Sequence, residues 1–216
     1  MVILWLGQGI HLKRYRVRKW PSQHFELQVL AQGYKTIAGV DEVGRGCLAG
    51  PVIAAAVILP LDHGICGLDD SKRLTPKKRE LLYTEIYKGA IAIGIGSVEP
   101  QIIDEINILQ ASMVAMKKAI DGLKPQPDFL LVDGNLKSIT QIPQKSIVGG
   151  DHLSESIAAA SIVAKVFRDN LMKNYNDQFP QYRLDANKGY PTPDHLEALK
   201  IYGVSKIHRK TFRGVK

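Results

Sequence analysis

The run IAGVDEVGRG at residues 37–46 constrains the fold more than any other stretch of the chain. Short apolar runs bounded by glycine read as buried strands. This one delivers two adjacent carboxylates, Asp41 and Glu42, into a Gly-Arg-Gly turn. Side chains alternate along a strand, so the two acids ordinarily face opposite sides of a sheet. They converge only where the strand ends and the backbone bends, and Gly44 and Gly46 permit such a bend. Gly50-Pro51 then leads into VIAAAVILP at 52–60, a second strand expected to pair with the first as a hairpin. Two carboxylates, a glycine-rich backbone and Arg45 in so short a span suit a divalent metal facing a phosphate. A strand end with a solvated acidic pair fits the same segment.

The rest of the chain alternates strands and helices. Phe25, Leu27, Val29 and Leu30 predict a short helix ending near Gly33, and GLDDSKRLT at 67–75 reads as a loop. Thr75-Pro76 opens a helix running to residue 88, with proline suited to the first turn. AIAIGIGSV at 90–98 predicts a third strand, followed by helices at 100–105 and 108–122. Further strands are expected at 128–135 and 146–151, then a long helix over 153–175 and a last one over 193–202. The Ala158-Ala159-Ala160 patch of the long helix lets its backbone approach a neighbour closely. This order predicts an α/β fold with a mixed sheet, antiparallel at the front and parallel behind. A phosphate cradle at a helix N-terminus is excluded for the Gly-Arg-Gly turn, because a strand follows it.

Charge is unevenly spread. The net charge is +8 over 216 residues, yet residues 1–35 hold six Lys/Arg against one Glu, and residues 200–216 hold six against no acid. A mildly acidic body with basic ends fits an enzyme that binds a polyanion and concentrates its acids at a metal. Residues 1–34 are expected to be a basic N-terminal extension and 35–216 the catalytic domain. Two cysteines exclude a disulfide framework and suit a reducing cytoplasm. The apolar opening MVILWLGQGI is too short to span a bilayer, and its basic residues follow it where a signal peptide puts them first. No membrane association is expected.

Two more acids sit where strands should end. Asp133 closes the apolar run FLLV, and Asp151 follows IVGG and precedes the long helix. Acids distant in sequence can meet outside strand termini of an open α/β sheet. A turn role for Asp133 and helix capping for Asp151 are the structural alternatives.

Taken together, DEVGRG (41–46), GLDDSKRL (67–74), INILQAS (106–112), LLVDGN (130–135), GDHLSESIAAASIVAKVFRD (150–169), KGYPT (188–192) and IHRKTF (207–212) resemble, in order, the type 2 ribonucleases H, and specifically ribonuclease HII. The resemblance covers residues 36–216 and implies the ribonuclease H-like mixed five-stranded sheet flanked by helices, with a C-terminal helical segment. It implies that Asp41, Glu42, Asp133 and Asp151 are catalytic, metal-binding carboxylates. Hard oxygen ligands select Mn²⁺ or Mg²⁺, here as a two-ion site.

The resemblance further implies that Gly44, Arg45 and Gly46 recognise the ribose 2′-hydroxyl, which separates RNA from DNA. By the same resemblance Tyr190 stacks on the following sugar, and Lys72 and Asn107 hold phosphates. The implied substrates are RNA–DNA hybrids and ribonucleotide-containing duplex DNA; nothing in the sequence demands a dimer, and a monomer is expected. Cys47, Phe167, Gly149 and Asn187 depart from the family pattern, where proline, threonine, lysine and histidine are usual. His152 beside Asp151 reads as helix-start packing in preference to a general base. The sister type, ribonuclease HIII, usually has threonine at the Arg45 position and a folded N-terminal domain.

Overall fold

In the computed structural model, which describes residues 20–135 and 138–215, the element order is mixed α/β from end to end. It runs α1 (His24–Leu30), β1 (Ile37–Val43), β2 (Val52–Ile58), α2 (Pro76–Gly89), β3 (Ala92–Val98), α3 (Pro100–Asp121), β4 (Phe129–Asp133) and β5 (Gln144–Ile147). Then come α4 (Glu155–Gln178), the single-turn α5 (Leu184–Asn187) and α6 (Pro193–Tyr202). The strands form one sheet in the order β3-β2-β1-β4-β5. β1 pairs antiparallel with β2, and β2 with β3; β1 pairs parallel with β4, and β4 with β5. This is the five-stranded mixed sheet that the sequence predicts, hairpin included.

β2 explains why the sheet needs cover on both faces. All seven of its residues are buried, and they alternate between two apolar layers. Ala54, Ala56 and Ile58 pack with Ala111, Ala115, Met116, Ala119 and Ile120 of α3. Ile53, Ala55 and Val57 pack with the Ala158–Ala160 patch, Ile162 and Val163 of α4, and with Leu82 and Ile86 of α2. Each Val, Leu, Ile or Met side chain so buried contributes about 1.5–3 kcal/mol, and each alanine methyl less. The close approach expected of the alanine patch is realised nearby: a Cβ on Gly39 of β1 would stand 2.1 Å from the Ser156 carbonyl carbon.

Helix starts follow their capping chemistry. Thr75, Ser154 and Thr192 each accept from a backbone N–H three residues on, and Pro76 and Pro193 occupy first-turn positions. Buried Glu26 of α1 accepts from the Ser154 hydroxyl (2.6 Å) and the Ser156 N–H (3.0 Å). That places an anion at the N-terminus of α4, where the helix dipole favours it.

Two boundaries differ from expectation, and one break falls where it was expected. The helices expected at 100–105 and 108–122 are the two halves of α3, separated by a kink at Asn107, whose φ of 65° and ψ of 165° are non-helical. Its side-chain oxygen caps the second half by accepting from the Leu109 and Gln110 N–H groups. The strand expected at 146–151 covers 144–147 instead, because Gly149 turns the chain left-handed (φ 66°) into a 3₁₀ turn over 150–152. The first strand, expected over 37–41, runs on to Val43. Of the expected extension, residues 1–19 lie outside the described residues.

Behind the sheet's carboxylate end, the C-terminal segment closes a separate cluster. Leu48 and Ala49 from the β1–β2 loop pack with Met172, Tyr182, Leu184, Leu199, Ile207 and Val215.

Candidate active site

Strand register brings the acids together. Val40 of β1 stands opposite Val132 of β4, so Asp41 and Asp133 are the next residues on two adjacent parallel strands. The 3₁₀ turn after β5 supplies Asp151. Asp133 Oδ1 accepts from the N–H groups of Gly150 (2.6 Å) and Asp151 (3.4 Å), which ties the β4 end to that turn. One oxygen from each of Asp41, Asp133 and Asp151 lies within 4.8 Å of the others. Asp151 does not cap α4; Ser154 does.

Glu42 is placed differently. β1 continues past Glu42 to Val43, and Glu42 lies near enough to Asp41 and Asp133 for their charges to act on one another. Glu42 Oε1 meets Arg45 Nη1 at 3.2 Å and is not a member of the three-carboxylate group. It still acts on that group electrostatically. Burial, then Glu42 and Asp133, hold Asp41 well above the usual carboxylate range. Burial also raises Glu42, against the pull of Arg45. Asp151 is pushed up to about 6 by burial, with Asp133 and Asp70 adding to it. Buried carboxylates that repel one another suit a bound cation, and hard oxygen donors suit a divalent one.

The other sequence-derived residues fall into two sets. Lys72 lies beside the acids: burial lowers its pKa, but Asp70, Asp41 and Asp151 outweigh that and hold it above its ordinary value. Tyr190 is half-buried near Cys47, Arg168 and Lys72, and burial raises its hydroxyl pKa. Asn107 is exposed, with its side-chain oxygen committed to the helix cap.

The two turn glycines differ. Gly44 has a left-handed φ of 91°, and a Cβ there would sit 2.3 Å from Arg168 Nε. At Gly46 φ lies outside that region and a Cβ would meet nothing within 4 Å. The fold therefore demands glycine at 44 and leaves the face at 46 open.

Sequence reasoning missed a second cluster. Buried Asp69 and Asp70 lie against His152, whose ring nitrogens stand 3.9 and 3.8 Å from them and 3.8 Å from Asp151. The His152 side chain is 39% exposed at this edge, where helix-start packing was expected. The back-to-back acids of GLDDSKRL were the signal. Of the departures from the family pattern, Asn187 shapes the Tyr190 loop: it donates to the Tyr182 carbonyl (2.6 Å) and accepts from the Gly189 N–H (2.7 Å).

Behind that loop lie two buried imidazoles, His195 and His208. The Ser205 N–H donates to His208 Nδ1 (3.1 Å), so the His208 proton sits on Nε2 and points at His195 Nε2 (3.1 Å). His195 Nδ1–H then donates to the Tyr190 carbonyl (2.9 Å). Burial, then His195, push His208 down to about 4, and burial also lowers His195. Both rings are neutral in the fold. Their contribution is whole above the ordinary histidine range of about 6.5 and is lost as pH falls toward 4. The Tm advantage of the protein over His208→Asn therefore narrows between these limits in a melting series. An advantage constant across that window contradicts the assignment.

A mixed five-stranded sheet with carboxylates gathered at the ends of adjacent parallel strands defines a ribonuclease H-like hydrolase. Comparison with known proteins narrows this. The family model described as ribonuclease HII matches residues 38–215. Ribonuclease HII of Syntrophus aciditrophicus is 54% identical over 190 residues, 88% of this chain and 90% of that one. Ribonuclease HII of Bacillus mycoides is 47% identical over 216 residues, all of this chain and 84% of that one. Among solved structures, ribonuclease H2 from Pyrococcus horikoshii matches with a TM-score of 0.69 and 26% identity, covering 84% of this chain and 95% of that one. The chain belongs to the ribonuclease HII family, hydrolases that act on RNA in RNA–DNA hybrids. Among the described residues no helix is long and apolar enough to cross a membrane.

Proposed function

We propose that this protein is an endonuclease that hydrolyses the RNA strand of RNA–DNA hybrids and cuts on the 5′ side of a lone ribonucleotide in duplex DNA. It acts as a monomer, and its products carry 3′-hydroxyl and 5′-phosphate ends. The observation that carries this reading is the three-carboxylate group beside a Gly-Arg-Gly turn whose Gly46 faces open space.

Asp41, Asp133 and Asp151, with Glu42 alongside, would hold two Mn²⁺ or Mg²⁺ ions. Such a pair supplies an activated water and charge neutralisation at the leaving 3′-oxygen. The chain's own groups do the rest. Asp133 is held in orientation by the Gly150 N–H. Lys72 faces the same acids and holds a phosphate, as Asn107 does at the break in α3. Arg45, 41% exposed, exchanges its contact with Glu42 for substrate phosphate. The backbone of 44–46 approaches the ribose and bonds the 2′-hydroxyl, which the missing Cβ of Gly46 permits. Tyr190 stacks on the next sugar.

The test is cleavage of a labelled continuous RNA–DNA hybrid with Mn²⁺, Mg²⁺ or EDTA, with end-group analysis. Metal-dependent cutting that leaves 3′-hydroxyl ends is expected. Cutting in EDTA, or 3′-phosphate ends, would sink the two-ion reading.

A further inference from the structure

Two arginines, Arg168 of α4 and Arg209 of the C-terminal segment, are wholly buried. Their hydrogen bonds go to backbone carbonyls. Arg168 donates to Pro51 (3.1 Å), Lys188 (2.8 Å) and Ala49 (3.0 Å). Arg209 donates twice to Gly50 (3.0 and 2.8 Å) and once to Arg45 (3.0 Å). A buried guanidinium is costly, and an apolar side chain of similar volume often fills such a space with less penalty. What the guanidinium adds is a rigid fork of donors that fixes where several carbonyls sit. Here those carbonyls belong to the Gly44–Pro51 loop and to Lys188, two residues before Tyr190.

The same segment reaches the second loop through the neighbouring residue. His208 bonds His195, and His195 bonds the Tyr190 carbonyl. The segments are also stitched directly. Leu48 N–H donates to Gly189 (2.7 Å), Gly50 N–H to Ile207 (2.8 Å), and Arg209 N–H to Leu48 (2.8 Å). His208 and Arg209, adjacent in the chain, thus each hold one of two loops that are far apart in sequence.

We propose that residues 205–209 form a clasp in which Arg209 sets the Gly-Arg-Gly loop and His208, through His195, sets Tyr190, so that both loops meet the substrate in one fixed register. These are positioning residues. The proposal rests on the reading that the Gly-Arg-Gly turn and Tyr190 contact the sugar-phosphate chain. Misplacing a substrate contact by about 1 Å can cost on the order of 10²-fold in rate. The clasp therefore controls the rate on a ribonucleotide substrate without touching the carboxylates.

The test uses the full chain and a DNA duplex with one embedded ribonucleotide. Single-turnover cleavage, Mn²⁺ affinity by calorimetry and Tm are measured for Arg209→Lys, His195→Leu, His195→Asn and Tyr190→Ala, at a temperature where each is folded. Arg209→Lys keeps the charge but loses the fork, and His195→Leu removes the donor to Tyr190. Each is expected to slow cleavage by about 10²-fold with Mn²⁺ affinity unchanged. His195→Asn, whose amide can still donate to the Tyr190 carbonyl, recovers most of the rate. His195→Leu combined with Tyr190→Ala is no slower than Tyr190→Ala alone, because both act through one contact.

Slow cleavage by Tyr190→Ala beside parent-rate cleavage by folded Arg209→Lys and His195→Leu overturns the clasp while leaving the function standing. Full-rate cleavage by Tyr190→Ala overturns the reading of that residue, and the histidine half of the clasp with it.

Discussion

Asp133→Asn is expected to lower hybrid cleavage on the order of 10³-fold, the equivalent of several kcal/mol of lost charge stabilisation. Hybrid binding is retained. The substitution keeps an oxygen for the Gly150 and Asp151 N–H groups, so the tie between β4 and the 3₁₀ turn can persist. What it removes is the negative charge that helps raise Asp41 and Asp151. The metal-free variant therefore melts higher than the parent at pH 7, because one of several carboxylates that repel one another in a buried space is gone. Activity lost and stability gained by one side chain is the expected mark of a site whose strain serves function. Rate measurements, hybrid-binding titrations and melting curves in EDTA check the three parts separately. Undiminished cleavage would remove Asp133 from the metal site.

Gly46→Ala has the second large effect, and Gly44→Ala shows why it is specific. A methyl at 46 meets open space in the protein and needs no left-handed backbone. Its cost to stability is small, and a loss of unfolded-state entropy can even add about 0.4–1 kcal/mol. The same methyl would occupy the space assigned to the ribose, so cleavage falls by about 10²-fold. At 44 the methyl collides with Arg168 and the φ of 91° is strained. There the melting temperature drops together with the rate. Equal melting losses at both positions would mean that Gly46, too, is a residue of the fold.

The sheet was legible because its strands are short, apolar and bounded by glycine, and because VIAAAVI follows a turn too brief for anything but an antiparallel return. The break at Asn107 was legible as two helices, since asparagine favours a cap over a helix interior. The end of β5 was not. IVGG has a strand's composition, and only tertiary ties to Asp133 make Gly149 and Gly150 a turn. The four acids were legible as strand-end carboxylates, and the resemblance assigned them to metal binding. Composition alone does not reveal that parallel register sets Asp41 beside Asp133, next to the turn that carries Asp151. Nor does a sequence announce that Arg168 and Arg209 are buried, since arginine is among the most exposed residue types. The arginine half of the clasp exists only in contacts across 159 and 164 residues of chain.

The central claim is that a metal-binding carboxylate group sits beside a reader of one hydroxyl. Its most direct test is cleavage, with Mn²⁺, of two DNA duplexes identical except for a single 2′-hydroxyl. The account predicts one cut, on the 5′ side of the ribonucleotide, and none in the all-DNA duplex. Equal cleavage of both duplexes, or a cut elsewhere on the ribonucleotide strand, would contradict it.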